Sequence, residues 1–185
     1  MGLSSSSLYN LQKNIGYHFR NEVILTEALT HDSCRVDDPN IKTYQRLEHL
    51  GDAVINFAIT NYLFRKYPDS SEGTLSTLRA NLVNQTKQKE ISDQLELHNF
   101  VKMHQSVKGL PRHDKFLESV IGAVFIDAGG ERKGGYKEAK KVIYNLWELK
   151  DGQAAEGNGS IFEIVIGSVL IVGIAMLFLD RGVKK

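Results

Sequence analysis

The stretch YQRLEHLGDAVINF, residues 44–57, bears on both the fold and the chemistry of this chain. Leu47, Leu50, Val54, Ile55 and, just beyond it, Ala58 recur at helical spacing. The pattern runs on until Pro68 ends it, so a helix is predicted over 44–67. Its apolar residues fall on more than one face, which calls for neighbours all round. Set into that pattern are Glu48 and Asp52. Four residues apart, they lie about 40° apart on a helix and project side by side. Neighbouring carboxylates repel, and in a core they need a cation. Arg46 and Arg79 are candidate partners. A divalent ion is the alternative, and oxygen-only ligands suit Mg²⁺.

Outward from this helix every segment reads helical. Leu8, Leu11 and Ile15 share a face, and Asn21 is placed to cap a helix carrying Leu25, Ala28 and Leu29. GTLSTLRANLVN, QKEISDQLELHNF, DKFLESVIGAVFIDAGG and YKEAKKVIYNLWEL follow, the third stopped by Gly129 and Gly130. No strand alternation exceeds a few residues, so the fold class is all-α. A second carboxylate pair, Asp114 and Glu118, repeats the spacing of the first at the start of another apolar helix. Two such helices facing each other would make an acidic site for one or two Mg²⁺ ions, suited to phosphodiester hydrolysis.

The chain has 185 residues, enough for one domain of residues 8–150 and a tail. Its single cysteine, Cys34, rules out an internal disulfide, and no activating pattern surrounds it. Net charge is +1; residues 151–185 contribute three basic and four acidic side chains, leaving +2 for the rest. Nucleic acid would therefore be met by local patches rather than by overall charge. One candidate is Lys102, Lys108, Arg112 and Lys115 with His104 and His113. The other is Arg132, Lys133, Lys137, Lys140 and Lys141, which equally suits a solvated helix face.

Residues 1–7, MGLSSSS, read as a flexible start that matches the loose pattern for myristoylation at Gly2. Residues 151–160 have a linker composition, and 180–185 form a short basic tail. Between them, 161–179 is apolar all round, with thirteen Ile, Leu, Val and Phe residues. At about 1.5 Å per residue it has the length of a bilayer core, so a C-terminal transmembrane helix is expected, with the domain facing the cytosol. A docked core helix is the alternative reading.

Four segments in order resemble the ribonuclease III family: ILTEALTHDS (24–33), QRLEHLGDAV (45–54), EGTLSTLRANLVN (72–84) and FLESVIGAVFIDAGG (116–130). The resemblance covers about residues 8–150. It implies an all-α, Mg²⁺-dependent endonuclease domain (Mn²⁺ may substitute) that homodimerises around double-stranded RNA. It also implies that Glu48, Asp52 and Glu118 are metal ligands and that Glu72 lies near the cleaved RNA; Lys108 and Arg112, from the first basic patch, are the expected RNA contacts. Three positions depart from the family pattern. Where the second acidic motif has its Asp, three residues before Glu118, stands Lys115; Asp114 is one residue further, a turn of about 100°. Gln45 replaces the acid that opens the signature, a position ascribed to RNA handling. His49 replaces the aromatic that enters the partner subunit, which would make dimerisation sensitive to pH. The family's usual double-stranded RNA-binding domain has no counterpart here, its place being taken by the linker and the apolar segment. A catalytically silent RNA-binding or ribonucleoprotein-assembly module is the competing reading. For the tail, the expected outcome is that alkaline carbonate leaves the chain in the membrane fraction; release into the soluble fraction would contradict an anchor.

Overall fold

A computed structural model describes residues 5–109 and 114–150. Within them the chain forms helices α1 (Ser5–Ile15), α2 (Glu22–Ala28), α3 (Gln45–Lys66), α4 (Glu72–Val83), α5 (Gln85–Gln94), α6 (Asp114–Asp127) and α7 (Gly135–Leu146). Two short 3-10 turns, Asp32–Val36 and Leu97–Asn99, join them. The helix boundaries follow local chemistry. Asn21, Ser71 and Asn84 each accept a backbone N–H from the first turn of the helix they open, α2, α4 and α5. Pro68 follows the end of α3. One boundary differs from expectation: α1 begins at Ser5, inside the stretch read as flexible. Leu8, Leu11 and Ile15 are buried, and this packing holds the helix into its Ser-rich start.

The two helices that matter most are α3 and α6, which pack more extensively on each other than any other pair. Their backbones touch at Gly51 and Gly122. A Cβ on Gly51 would run into the carbonyl of Glu118, and one on Gly122 into that of Leu47. Only hydrogen fits at either position. The buried residues of α6, among them Phe116, Leu117, Val120, Ile121 and Val124, then fill the core against α2, α3, α5 and α7. Trp147 donates to Leu82 O at 2.7 Å, tying the end of α7 to α4. At the other end of α6, Asp127 accepts from Tyr17 Oη and from the backbone N–H groups of Arg20 and Asn21, holding the α1–α2 connection. Burial and this hydrogen bond push the Tyr17 phenol well above its usual range.

Helix α3 is not enclosed all round, contrary to the expectation from its apolar residues. Gln45, Arg46, His49, Asp52, Ala53, Phe57, Thr60 and Phe64 form a continuous exposed arc on this chain. Phe57 and Phe64 are 57% and 69% exposed, although Phe57 also packs on Tyr136. Among the described residues no helix is long and apolar enough to cross a membrane. The expected linker, span and tail (151–185), Gly2, and the RNA contacts expected of Arg112 and His113 lie outside the described residues.

The glycine contact generates a prediction. Gly51→Ala should destabilise the fold by about 3 kcal/mol or more, because both obstructing groups are backbone and cannot swing aside. Urea denaturation would show it. A loss below about 1 kcal/mol, no more than helix propensity can offset, would mean that the helices separate freely.

Candidate active site

The glycine contact sets the position of the acids. Glu48 and Asp52 flank Gly51 on α3, and Glu118 lies one turn before Gly122 on α6. The close approach of the backbones brings the two carboxylate sets to one place. Neither α3 acid is sunk in the core: Glu48 is half-buried and Asp52 lies exposed at the edge of the open arc. Their partners are not Arg46 and Arg79. Lys115 Nζ donates to Glu48 Oε1 at 2.6 Å, and Asn56 Nδ2 donates to Asp52 Oδ1 at 2.9 Å.

Glu118 has a pKa pushed up from the usual 4.5 to about 7. Burial is the main cause, and the charges of Asp52, Glu48 and Asp114 add to it; a hydrogen bond from Gln88 opposes the rise. Asp114 is therefore a neighbour of Glu118 despite the shift of its motif. The reason is helical. As the first residue of α6, four before Glu118, it lies about 40° from it around the axis, closer than a residue three away. Its side chain is buried.

Gln88 has no place in the motifs, yet it is buried on α5. Its Nε2 donates to Val83 O at 3.0 Å, and its Oε1 has no hydrogen-bond partner. The sequence carried a signal for it: Gln88 shares a helix face with Ile91 and Leu95, where an apolar residue belongs.

Glu48, Asp52, Asp114 and Glu118 thus share one electrostatic neighbourhood. Their donor type fits a hard divalent cation, whose charge would favour the ionised form of Glu118 against the burial that raises its pKa. As the side chains stand, no three His, Cys, Asp or Glu among the described residues converge closely enough to hold an ion.

The other expected site residues lie apart. Glu72 opens α4, accepts from Ser76 Oγ at 2.7 Å, and lines a cavity of about 420 Å³ with Phe64, Leu75 and Arg79. Gln45 and His49 line an open groove of about 800 Å³ with Lys42, Arg46 and Ile126. Lys102 and Lys108 are exposed. The second basic patch behaves as a solvated face: Arg132, Lys133 and Lys137 are exposed, Lys141 pairs with Glu138, and Lys140 lies over the Tyr144 ring. Cys34 is buried, and burial pushes its thiol up, which disfavours a nucleophile.

A pH dependence follows from Glu118. Its folded pKa lies above the usual 4.5, so the metal-free fold binds more protons than the unfolded chain and loses stability as pH rises from about 4.5 to about 7. Glu118→Gln should therefore stabilise the metal-free chain at about pH 8, on the order of 1 kcal/mol once solvent screening is discounted, and change little near pH 4. Denaturation at both pH values checks this; a variant less stable than the parent at pH 8 would contradict it.

Known proteins bear on these features. A ribonuclease-III-like family model matches residues 21–148. Ribonuclease 3 from Wolbachia sp. subsp. Brugia malayi is 35% identical over 146 residues, covering 75% of this chain and 58% of that protein. Ribonuclease 3 from Campylobacter fetus is 37% identical over 147 residues, covering 76% of this chain and 61% of that protein. The chain spans about three fifths of the length of these curated relatives. Among solved structures, the nuclease domain of ribonuclease III from Campylobacter jejuni matches with a TM-score of 0.66 and 32% identity, covering 75% of this chain and 94% of that one. With the family model matching residues 21–148 and a solved nuclease domain superposing at 32% identity, this chain belongs to the ribonuclease-III-like family.

Proposed function

We propose that this chain is a divalent-metal-dependent endoribonuclease that cleaves double-stranded RNA. What supports the reading is that Glu118, beside the α3–α6 contact, feels the charges of Asp52, Glu48 and Asp114 and has its pKa raised to about 7. Asp52, Asp114 and Glu118, with Glu48, would hold Mg²⁺, and Mn²⁺ could substitute. When bound, the ion supplies activation of water and stabilisation of the leaving oxygen. The protein's own part is placement. Asn56 fixes Asp52, and the Gln88 amide favours the ionised form of Glu118. Gln45, Glu72, Lys108 and Arg112 are the proposed RNA contacts. A-form RNA offers them phosphates and 2′-hydroxyls rather than a readable major groove.

A homodimer with His49 at its contact is part of the proposal. His49 lies in the exposed arc of α3 and lines the groove that also holds Ile126. The Campylobacter jejuni nuclease domain is described as flexible in its dimer-forming region. A membrane anchor at 161–179, with the domain in the cytosol, completes the proposal. It rests on that segment's composition.

One observation favours a second reading. The Lys115 ammonium on Glu48 places a positive charge where a metal ion would act. In a catalytically silent module that binds RNA or assembles a ribonucleoprotein, this pair would simply be a structural bond.

Cleavage separates the two. The full chain in detergent should cut double-stranded RNA with Mg²⁺ or Mn²⁺, and Glu118→Gln should abolish cutting, at least roughly a hundredfold, while the fold is retained. A folded parent chain that cuts nothing with either ion would establish the silent module instead. For the dimer, sedimentation should show a pair whose population rises with protein concentration. A monomer at every pH and concentration would remove the dimer.

A further inference from the structure

We infer that His31 is a positioning residue: its ring, fixed on its own loop, locks the starts of α3 and α6 against each other and so sets where Glu48 and Glu118 stand. Its bearing on cleavage rests on the metal-dependent reading above; its bearing on the helix starts does not. Three observations carry it.

The first is the anchoring of the ring. His31 caps the 3-10 turn Asp32–Val36: its Nδ1 accepts the Ser33 N–H at 3.1 Å and lies 2.9 Å from Ser33 Oγ. A backbone N–H can only donate, so Nδ1 carries no hydrogen, and in the neutral ring the hydrogen sits on Nε2, 3.1 Å from Asp32 Oδ1. The Ser33 hydroxyl then donates to Nδ1, and its oxygen accepts the His104 N–H at 3.1 Å. Both ring nitrogens are engaged by the two residues that follow His31, so the tilt of the ring is set independently of either helix.

The second is what the ring meets. It is stacked on Tyr44, with centroids 5.8 Å and planes 11° apart, and its centroid lies 6.3 Å from that of Phe116. Tyr44 and Phe116 meet each other at 4.6 Å. All three separations are those of attractive ring pairs. Tyr44 and Phe116 are buried, which leaves the three rings little room to tilt.

The third is the link to the acids. Tyr44 immediately precedes α3, and its carbonyl accepts the Glu48 N–H at 2.8 Å. Phe116 stands two residues before Glu118 on α6. The backbone beside His31 holds the same places: Thr30 O accepts the Tyr44 N–H at 3.0 Å, and the His31 N–H donates to Lys102 O at 2.9 Å. A helix start displaced by about 1 Å carries its carboxylate with it, a misplacement that can cost a positioned reaction up to about a hundredfold.

Amide hydrogen exchange on the full chain in detergent, read by NMR, tests the lock without a cleavage assay. His31→Ala should speed exchange at the Tyr44 and Glu48 amides at least roughly tenfold more than at Ile143 and Tyr144 of α7. His31→Phe, which keeps a ring against Tyr44 and Phe116, should bring both amides back towards the parental rate. His31→Asn, which keeps an acceptor for the Ser33 N–H and has no ring, should not. Unchanged exchange at Tyr44 and Glu48, a uniform rise through α7, or rescue by Asn in place of Phe would overturn the inference. In cleavage of double-stranded RNA the same order should appear in kcat, His31→Ala losing at least roughly tenfold with KM within about twofold; a loss carried by KM alone would count against positioning. If exchange follows the expected order in a chain that cuts no RNA with Mg²⁺ or Mn²⁺, the metal-dependent reading falls and the lock on the helix starts stands.

Discussion

The contact between Gly51 and Gly122 is the constraint on which the rest depends. Two helices ordinarily pack with their axes 8–10 Å apart, separated by side chains. Here both helices present hydrogen at the crossing, and each glycine faces a carbonyl of the other helix. The backbones are therefore as close as chemistry allows. Polar side chains next to the crossing are forced together across it, since Glu48 and Asp52 flank one glycine and Glu118 and Lys115 precede the other. Packing and electrostatics are thus set by one feature: a larger residue at either glycine would push apart the groups that make up the candidate site.

What results is an arrangement held under electrostatic tension. Burial and three carboxylate charges raise Glu118 to about 7, and Gln88 works against the rise. The Lys115 ammonium relieves Glu48. At neutral pH an ionised Glu118 in this position costs the metal-free fold stability. Around it the structure is conventional. Asp127 is fully hydrogen-bonded to the α1–α2 connection, and Trp147 closes the far end of the core.

Much of this was legible in the sequence. The long apolar run ending at Pro68 predicted α3, and the two acid pairs at helical spacing predicted which helices meet. Local signals suffice for such features, because a helix is built from near neighbours in the chain. Other features depend on contacts between distant residues. Lys115 and Glu48 are 67 residues apart, and spacing along a helix cannot choose between Lys115, Arg46 and Arg79 as the partner of Glu48. Likewise, the apolar pattern of α3 did not reveal that His49, Phe57 and Phe64 stay uncovered, because it does not say how many neighbours a helix has. Asp114 was ambiguous until the start of α6 was placed. Gln88 was visible only as a polar residue on an apolar face, a signal without a partner until the helices are assembled.

The most direct test of this account is a crystal structure of the chain grown with Mn²⁺, phased to show anomalous scattering. It should place Mn²⁺ between α3 and α6, on carboxylates drawn from Glu48, Asp52, Asp114 and Glu118 that move together to take it. A folded chain with no anomalous peak at that crossing, or with the ion elsewhere and Asp114 turned away, would contradict it.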